Sequence, residues 1–241
     1  IGPLDLDDWR SCALDFEREI AKAVVGQGRA IRLLTIAVFA RGHVLLEGDV
    51  GVGKTTLLRA VARALGGAYE RIEGTIDLMP SDMIYYTFLN EDGKPRVEPG
   101  PVLRHGSDLS VFFFNEINRA RPQVHSLLLR LMAERSITAF NQEHVFPYLL
   151  VFADRNRIER EETFELPAAA RDRFLMEVAI STPTDEKSRR ELVFATKFHD
   201  VDTLIASLKD GVLDYRRLNT LADVIQNTII VSSALERYVL D

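Results

Sequence analysis

The 241-residue chain can bury a sizeable core and suits one large α/β domain, alone or with a small second one. Its 46% hydrophobic and 27% charged residues are ordinary for a globular protein, and a formal charge of −6 gives no support for sequence-independent binding along DNA. Cys12 is the only cysteine, which excludes an intrachain disulfide, and the five histidines (His43, His105, His125, His144 and His199) show no HExxH or comparable spacing, so no zinc is expected.

From Leu6 to Val24 the apolar residues Trp9, Ala13, Phe16, Ile20 and Val24 recur at helical spacing, with Asp5, Asp7 and Asp8 placed early to complement the helix dipole. Gly26 interrupts, and Ala30 to Arg41 reads as a second helix. Its most apolar stretch, Leu33 to Ala40, is too short for a bilayer, which needs about 20 residues. The chain opens on Ile1 rather than Met, with no signal-peptide pattern, and the default expectation is a cytoplasmic protein.

Val44-Leu45-Leu46 is then a short apolar run ending at Glu47-Gly48, a buried strand entering a loop. A helix over Lys54 to Leu65 follows, closed by Gly66-Gly67, and Tyr69 to Ile72 reads as a second strand. Strand, glycine loop and helix form one unit of a parallel, doubly wound α/β fold. Asp77 to Pro101 carries a hairpin turning at Asn90 to Gly93, and Val111 to Phe114 is another buried strand. Pro122 to Arg135 reads as a helix, Ile137 to Tyr148 as a hairpin around Asn141-Gln142, and Leu149 to Ala153 and Leu175 to Ile180 as strands. Ser181 to Thr184 is a turn cluster, which sets a boundary between residues 1–182 and 183–241. Beyond it Asp185 to Lys197, Asp202 to Leu208, Tyr215 to Asn227 and Ser232 to Leu240 are helical patterns.

Gly48-Asp49-Val50-Gly51-Val52-Gly53-Lys54-Thr55 matches GxxxxGK[ST] between a strand and a helix, the context this loop requires. Its glycines let backbone N–H groups and the helix N-terminus point at phosphate oxygens. Lys54 is expected to reach the β- and γ-phosphates of ATP and the Thr55 hydroxyl to ligate Mg²⁺, with Thr56 beside them in the first helical turn. The Val111–Phe114 run leads into Asn115-Glu116. Glu116 is placed to polarise an attacking water, and Asn115 stands where a Walker B aspartate would hold the magnesium shell.

Val24-Val25-Gly26-Gln27, Arg41-Gly42-His43-Val44-Leu45-Leu46-Glu47-Gly48, Pro80-Ser81-Asp82, Pro99-Gly100-Pro101-Val102, Asn115-Glu116-Ile117-Asn118-Arg119-Ala120 and Leu166-Pro167 with Asp172-Arg173-Phe174 together resemble the signatures of the MoxR family of AAA+ ATPases. The resemblance implies a P-loop domain with a five-stranded parallel sheet over 1–182, followed by an incomplete helical lid from 183. It implies a ring-forming ATPase, usually a hexamer, that remodels or activates partners carrying von Willebrand A domains; the two hairpins would be its helix-2 insert and pre-sensor hairpin. Asn156 falls at the family's sensor-1 position and Arg173 at its arginine finger, with Arg171 a competitor. The turn of Val24, Gly26 and Gln27 falls where adenine is held. The chain departs from the pattern at Asn115 (usually Asp), at Arg155-Asn156-Arg157 (usually Gln-Asn-Pro), at Ala168 and at Arg130 (each usually Glu). The family's sensor-2 arginine lies farther into the lid than this chain extends. Two expectations follow: an active ATPase motor or chaperone, or a nucleotide-gated scaffold slowed by Asn115.

Overall fold

The computed structural model of the chain describes residues 6–49, 51–156 and 164–240. Two helices, α1 (Leu6–Ala21) and α2 (Gly28–Phe39), lead into strand β1 (His43–Glu47) and helix α3 (Lys54–Leu65). Strand β2 (Ala68–Glu73), the short helix α4 (Pro80–Ile84), and the hairpin strands β3 (Tyr85–Leu89) and β4 (Pro95–Pro99) come next. Then follow β5 (Leu109–Asn115), α5 (Pro122–Glu134), the hairpin β6 (Ser136–Ala139) and β7 (Gln142–Val145), β8 (Leu150–Arg155), α6 (Ala168–Arg171) and β9 (Phe174–Ala179). Beyond β9 lie α7 (Glu186–Phe194), α8 (Val201–Ser207), α9 (Leu218–Thr228) and α10 (Ser233–Leu240).

Five strands form one sheet in the order β2-β5-β8-β1-β9, with every neighbouring pair parallel. Side-chain alternation along the strands divides the core in two. Val44 and Leu46, Val111 and Phe113, and Leu150 and Phe152 face the layer containing Phe16, Ile20, Leu34, Leu57 and Val61 from α1–α3. Leu45, Phe112 and Phe114, and Val151 and Ala153 face the opposite layer, with Val124, Leu128 and Leu131 of α5. Both faces are covered, so β5 reads as an uninterrupted buried run rather than an alternation. Phe112, Phe113 and Phe114 are all fully buried, and truncating any one to Ala costs about 3–5 kcal/mol.

The helix ends follow local chemistry. Pro122 opens α5, where a missing N–H is harmless. Asp185 and Asp200 cap α7 and α8 by accepting from the N–H groups of Ser188 (2.8 Å) and Thr203 (3.0 Å).

Some expectations need correcting. The first helix stops at Ala21, not Val24, because the N–H groups of Lys22 and Ala23 bond only three residues back, to Glu19 and Ile20, and the chain turns out of the helix. The second hairpin turns at Phe140 and Asn141, both with positive φ (53° and 58°), one residue before the expected pair. Helices α4 and α6 have no counterpart in the sequence reading; at five and four residues they are too short to show periodicity. The aligned carboxyl ends of β1, β5 and β8 bring three separate chain segments to one edge of the sheet, where ligands bind in open α/β folds.

Candidate functional site

The loop after β1 turns into α3 through Gly51 (φ 82°) and Gly53 (φ 87°), left-handed conformations that would strain any residue with a Cβ. The turn fixes Lys54 as the first residue of α3, and that helix start presents N–H groups to the same space. A pocket of about 360 Å³ opens there, lined by Gly51, Gly53, Lys54, Thr55, Thr56, Asn115, Glu116, Asp154 and Asn156. Lys54, Thr55, Asn115, Glu116 and Asn156, each singled out from sequence, thus meet in one cavity although they lie at or beyond the ends of three different strands.

Lys54 is buried, and its ammonium donates to Gly48 O (2.6 Å) and Asn156 Oδ1 (2.6 Å). It also lies 3.3 Å from Asp154 Oδ2. Asn156 uses the other end of its amide, donating from Nδ2 to Glu116 Oε1 (3.1 Å). Arg119 holds the second Glu116 oxygen at 2.7 Å. Glu116 has φ 52°, an uncommon conformation for a residue with a side chain. Its N–H donates to Asp154 Oδ1 at 2.5 Å. Lysine, amide and glutamate therefore form one hydrogen-bonded chain across the pocket, an arrangement suited to binding phosphate at one end and positioning a nucleophile at the other.

Asn115 lines the pocket, but its Nδ2 is directed away, donating to Glu73 Oε1 at 2.8 Å. Asp154 escapes the sequence reading, which ends the strand at Ala153. The signal is nonetheless present: a carboxylate follows an apolar run there, as Glu116 does at β5. Burial pushes the Asp154 carboxyl above its ordinary value, against the opposing pull of the Glu116 N–H and Lys54. Arg155, next along, pairs instead with Glu47 (2.5 Å) and Glu177 on β1 and β9.

Beside this polar cavity lies a second pocket of about 270 Å³, lined by Val24, Val25, Gln27, Val52, Thr56 and Pro183 among others. Its far wall is Leu192, Phe198, Val201 and Leu204, from the helical region after β9. Gln27 Nε2 donates to Ser181 O (2.7 Å), fastening the turn to the chain leaving β9. Gly26 (φ 73°) is required here, since a Cβ would stand 2.5 Å from Pro183 Cγ. Val24 and Gln27 of the expected turn thus form one wall of an apolar slot of the right character for a flat base, while Gly26 shapes the turn without lining the slot. The wall beyond Pro183 has no counterpart among the sequence expectations.

Val50 lies outside the described residues, and Asp49 is in the loop without lining either cavity. Arg171 and Arg173 are both exposed and line neither pocket. Oxygen donors from Thr55, Asn115, Glu116 and Asp154 in one cavity have the chemistry that a hard divalent cation takes. Among the described residues no group of three His, Cys, Asp or Glu could hold a metal ion, so such a cation would draw most of its ligands from phosphate and water. Among the described residues no helix is long and apolar enough to cross a membrane.

Comparison with known proteins gives the geometry a lineage. Residues 43–176 match the profile of the ATPase family associated with various cellular activities (AAA). Protein MoxR of Methylorubrum extorquens is 70% identical over 99% of this chain and 70% of its own length. Chaperone MoxR1 of Mycobacterium tuberculosis is 36% identical over 73% of this chain and 46% of its own length. The solved structure of a putative ATPase from Cytophaga hutchinsonii superposes with a TM-score of 0.75 at 28% identity, covering 99% of this chain and 72% of that one.

Proposed function

The chain belongs to the MoxR family of AAA+ ATPases, and we propose that it hydrolyses Mg²⁺-ATP within a hexameric ring to remodel or activate a partner protein. The observation that carries this reading is the hydrogen-bonded run Lys54–Asn156–Glu116, which joins a phosphate-binding lysine to a water-polarising carboxylate. Triphosphate lies along the N-terminus of α3, with Lys54 on the β- and γ-oxygens, and adenine in the slot beside the turn of Val24, Gly26 and Gln27. Asn156 senses the γ-phosphate while keeping Glu116 oriented toward water. Bound Mg²⁺ neutralises charge on the phosphates. Residues 1–182 form the nucleotide-binding domain, and 183–241 begin the helical lid that closes over the base.

Arg173, exposed just before β9, acts on the nucleotide of a neighbouring subunit, a role consistent with its lining neither pocket of its own chain. The exposed apolar residues of the hairpins, Phe88, Leu89 and Val97 on one and Phe140 and Val145 on the other, face partner or pore. The relative named a chaperone supports a remodelling role, and a partner with a von Willebrand A domain is the client we favour. No nucleic-acid role is proposed, and the cytoplasm is the proposed location.

The test is ATP turnover per subunit across protein concentration, with oligomeric size recorded in parallel. Turnover that climbs with assembly supports the motor. Assembly without turnover supports the second reading, a nucleotide-gated scaffold, which the diversion of Asn115 to Glu73 favours.

A further inference from the structure

We propose that Asp154, not Asn115, supplies the carboxylate facing the nucleotide's divalent cation, so that the metal-side negative charge has moved from the tip of β5 to the tip of β8. The inference rests on the nucleotide-binding reading above.

Three observations carry it. Asp154 is only 1% exposed and lines the same cavity as Thr55, Asn115 and Glu116. One of its oxygens is fixed by the Glu116 N–H, leaving Oδ2 on the Lys54 side of the pocket. Asn115, by contrast, carries no charge and turns its NH₂ to Glu73.

Electrostatics then constrains what a triphosphate would meet. Among the described residues Lys54 is the one cationic side chain lining the cavity, and phosphate oxygens compete with Asp154 for it. A buried carboxylate left beside polyanionic phosphate is strongly unfavourable. A divalent cation between them removes the repulsion, and carboxylate, hydroxyl, phosphate and water oxygens are the ligands magnesium prefers. An aspartate at position 115 would add a further carboxylate against Glu73, Glu116 and Asp154. A single charge, relocated, satisfies the cation without that crowding. Asp154 is assigned to the cation's ligand shell, directly or through its water, and Asn115 to holding the strand tip.

The competing account makes Asp154 only a counterion for Lys54. The two separate in the affinity of a fluorescent, non-hydrolysable ATP analogue, measured in saturating Mg²⁺ and again in EDTA. For Asp154→Asn the assignment expects the affinity gained from Mg²⁺ to shrink about ten-fold relative to wild type. The charge-swapped double variant, Asn115→Asp with Asp154→Asn, should regain part of that gain. Glu73 is exposed and pairs with Arg71, so it can turn toward solvent, away from a carboxylate newly placed at position 115. Asp154→Ser, which keeps an acceptor near the Glu116 N–H, gives the same reading if the Asn variant fails to fold. An undiminished Mg²⁺ gain in Asp154→Asn, with tighter binding in EDTA, would overturn the assignment in favour of the counterion. Wild-type protein that binds the analogue in neither condition removes the nucleotide reading itself, and this assignment with it.

Discussion

The two adjoining pockets are built on different plans. The phosphate cavity draws its floor from one contiguous loop and its walls from the tips of neighbouring parallel strands, so polar groups meet there because the sheet aligns them. The apolar slot joins the turn at Val24 to Gln27 with helices beyond β9, held together by packing and by the hydrogen bond from Gln27. The first suits the charge and geometry common to all nucleoside triphosphates. The second would take the base on the reading proposed above, and part of its lining comes from the helices beyond β9. Variants should therefore separate phosphate affinity from base selectivity.

The largest expected effect is at Lys54. Lys54→Ala removes the one cationic side chain that lines the cavity among the described residues and should abolish measurable binding of ATP and of inorganic tripolyphosphate alike. Calorimetry that still detects ATP binding by the variant would break the comparison at its root. Arg173→Ala should leave both ligands' affinities intact while cutting turnover by about 10³-fold or more, the scale for an arginine supplied by a neighbour. Mixing it with Glu116→Gln subunits should recover part of the rate, since intact sites form at mixed junctions. If no ratio recovers activity and Arg171→Ala shows the expected loss, Arg171 is the finger.

The opposite end of the sheet offers a control unconnected with either pocket. His43 accepts from Val151 N at its Nδ1 (2.9 Å) and, as the Nε2–H tautomer, donates to Met132 O (3.1 Å). Burial is the main force pushing its pKa down to about 4, with Arg135 and Arg41 adding to it. The folded pKa lies below the unfolded value of 6.5, so folding favours neutral imidazole. Its stabilising contribution of about 3 kcal/mol is full above that value and is lost as pH falls from about 6.5 to about 4. Denaturant melts should show a steeper acid loss in wild type than in His43→Gln, and parallel curves would refute this account.

Smallest is the effect at the slot. Gly26→Ala places a Cβ against Pro183 in a left-handed backbone and should weaken ATP about ten-fold while sparing tripolyphosphate. Equal weakening of both would show that the pockets are coupled rather than separate.

The same contrast explains what can be read from sequence. The central strands run apolar and the loop between β1 and α3 has a fixed spacing, so the sheet and the phosphate loop are legible from local pattern. Glu116 stands out because it follows an apolar strand, whereas Asn156 stands out only through the resemblance to the MoxR family. Asp154 follows the apolar run of β8 too, yet it lies inside that strand, where a lone carboxylate reads as the strand's end. The pairing of Asn115 with Glu73 joins residues 42 positions apart on neighbouring strands, and only register reveals it. The slot's far wall is invisible because Leu192, Phe198, Val201 and Leu204 read simply as apolar positions of short helices until those helices have a place in space.

The bond between Gln27 and Ser181 bridges 154 positions of chain. In terms of polymer physics, adenine bound in the slot, as proposed, would act as a reversible cross-link across that loop, adding to the one the side chain already makes. Whatever binds only the folded chain stabilises it more as its concentration rises. Cellular nucleotide level would thereby set how often the C-terminal helices detach, and so how readily a protease finds the segment around Thr182 and Pro183.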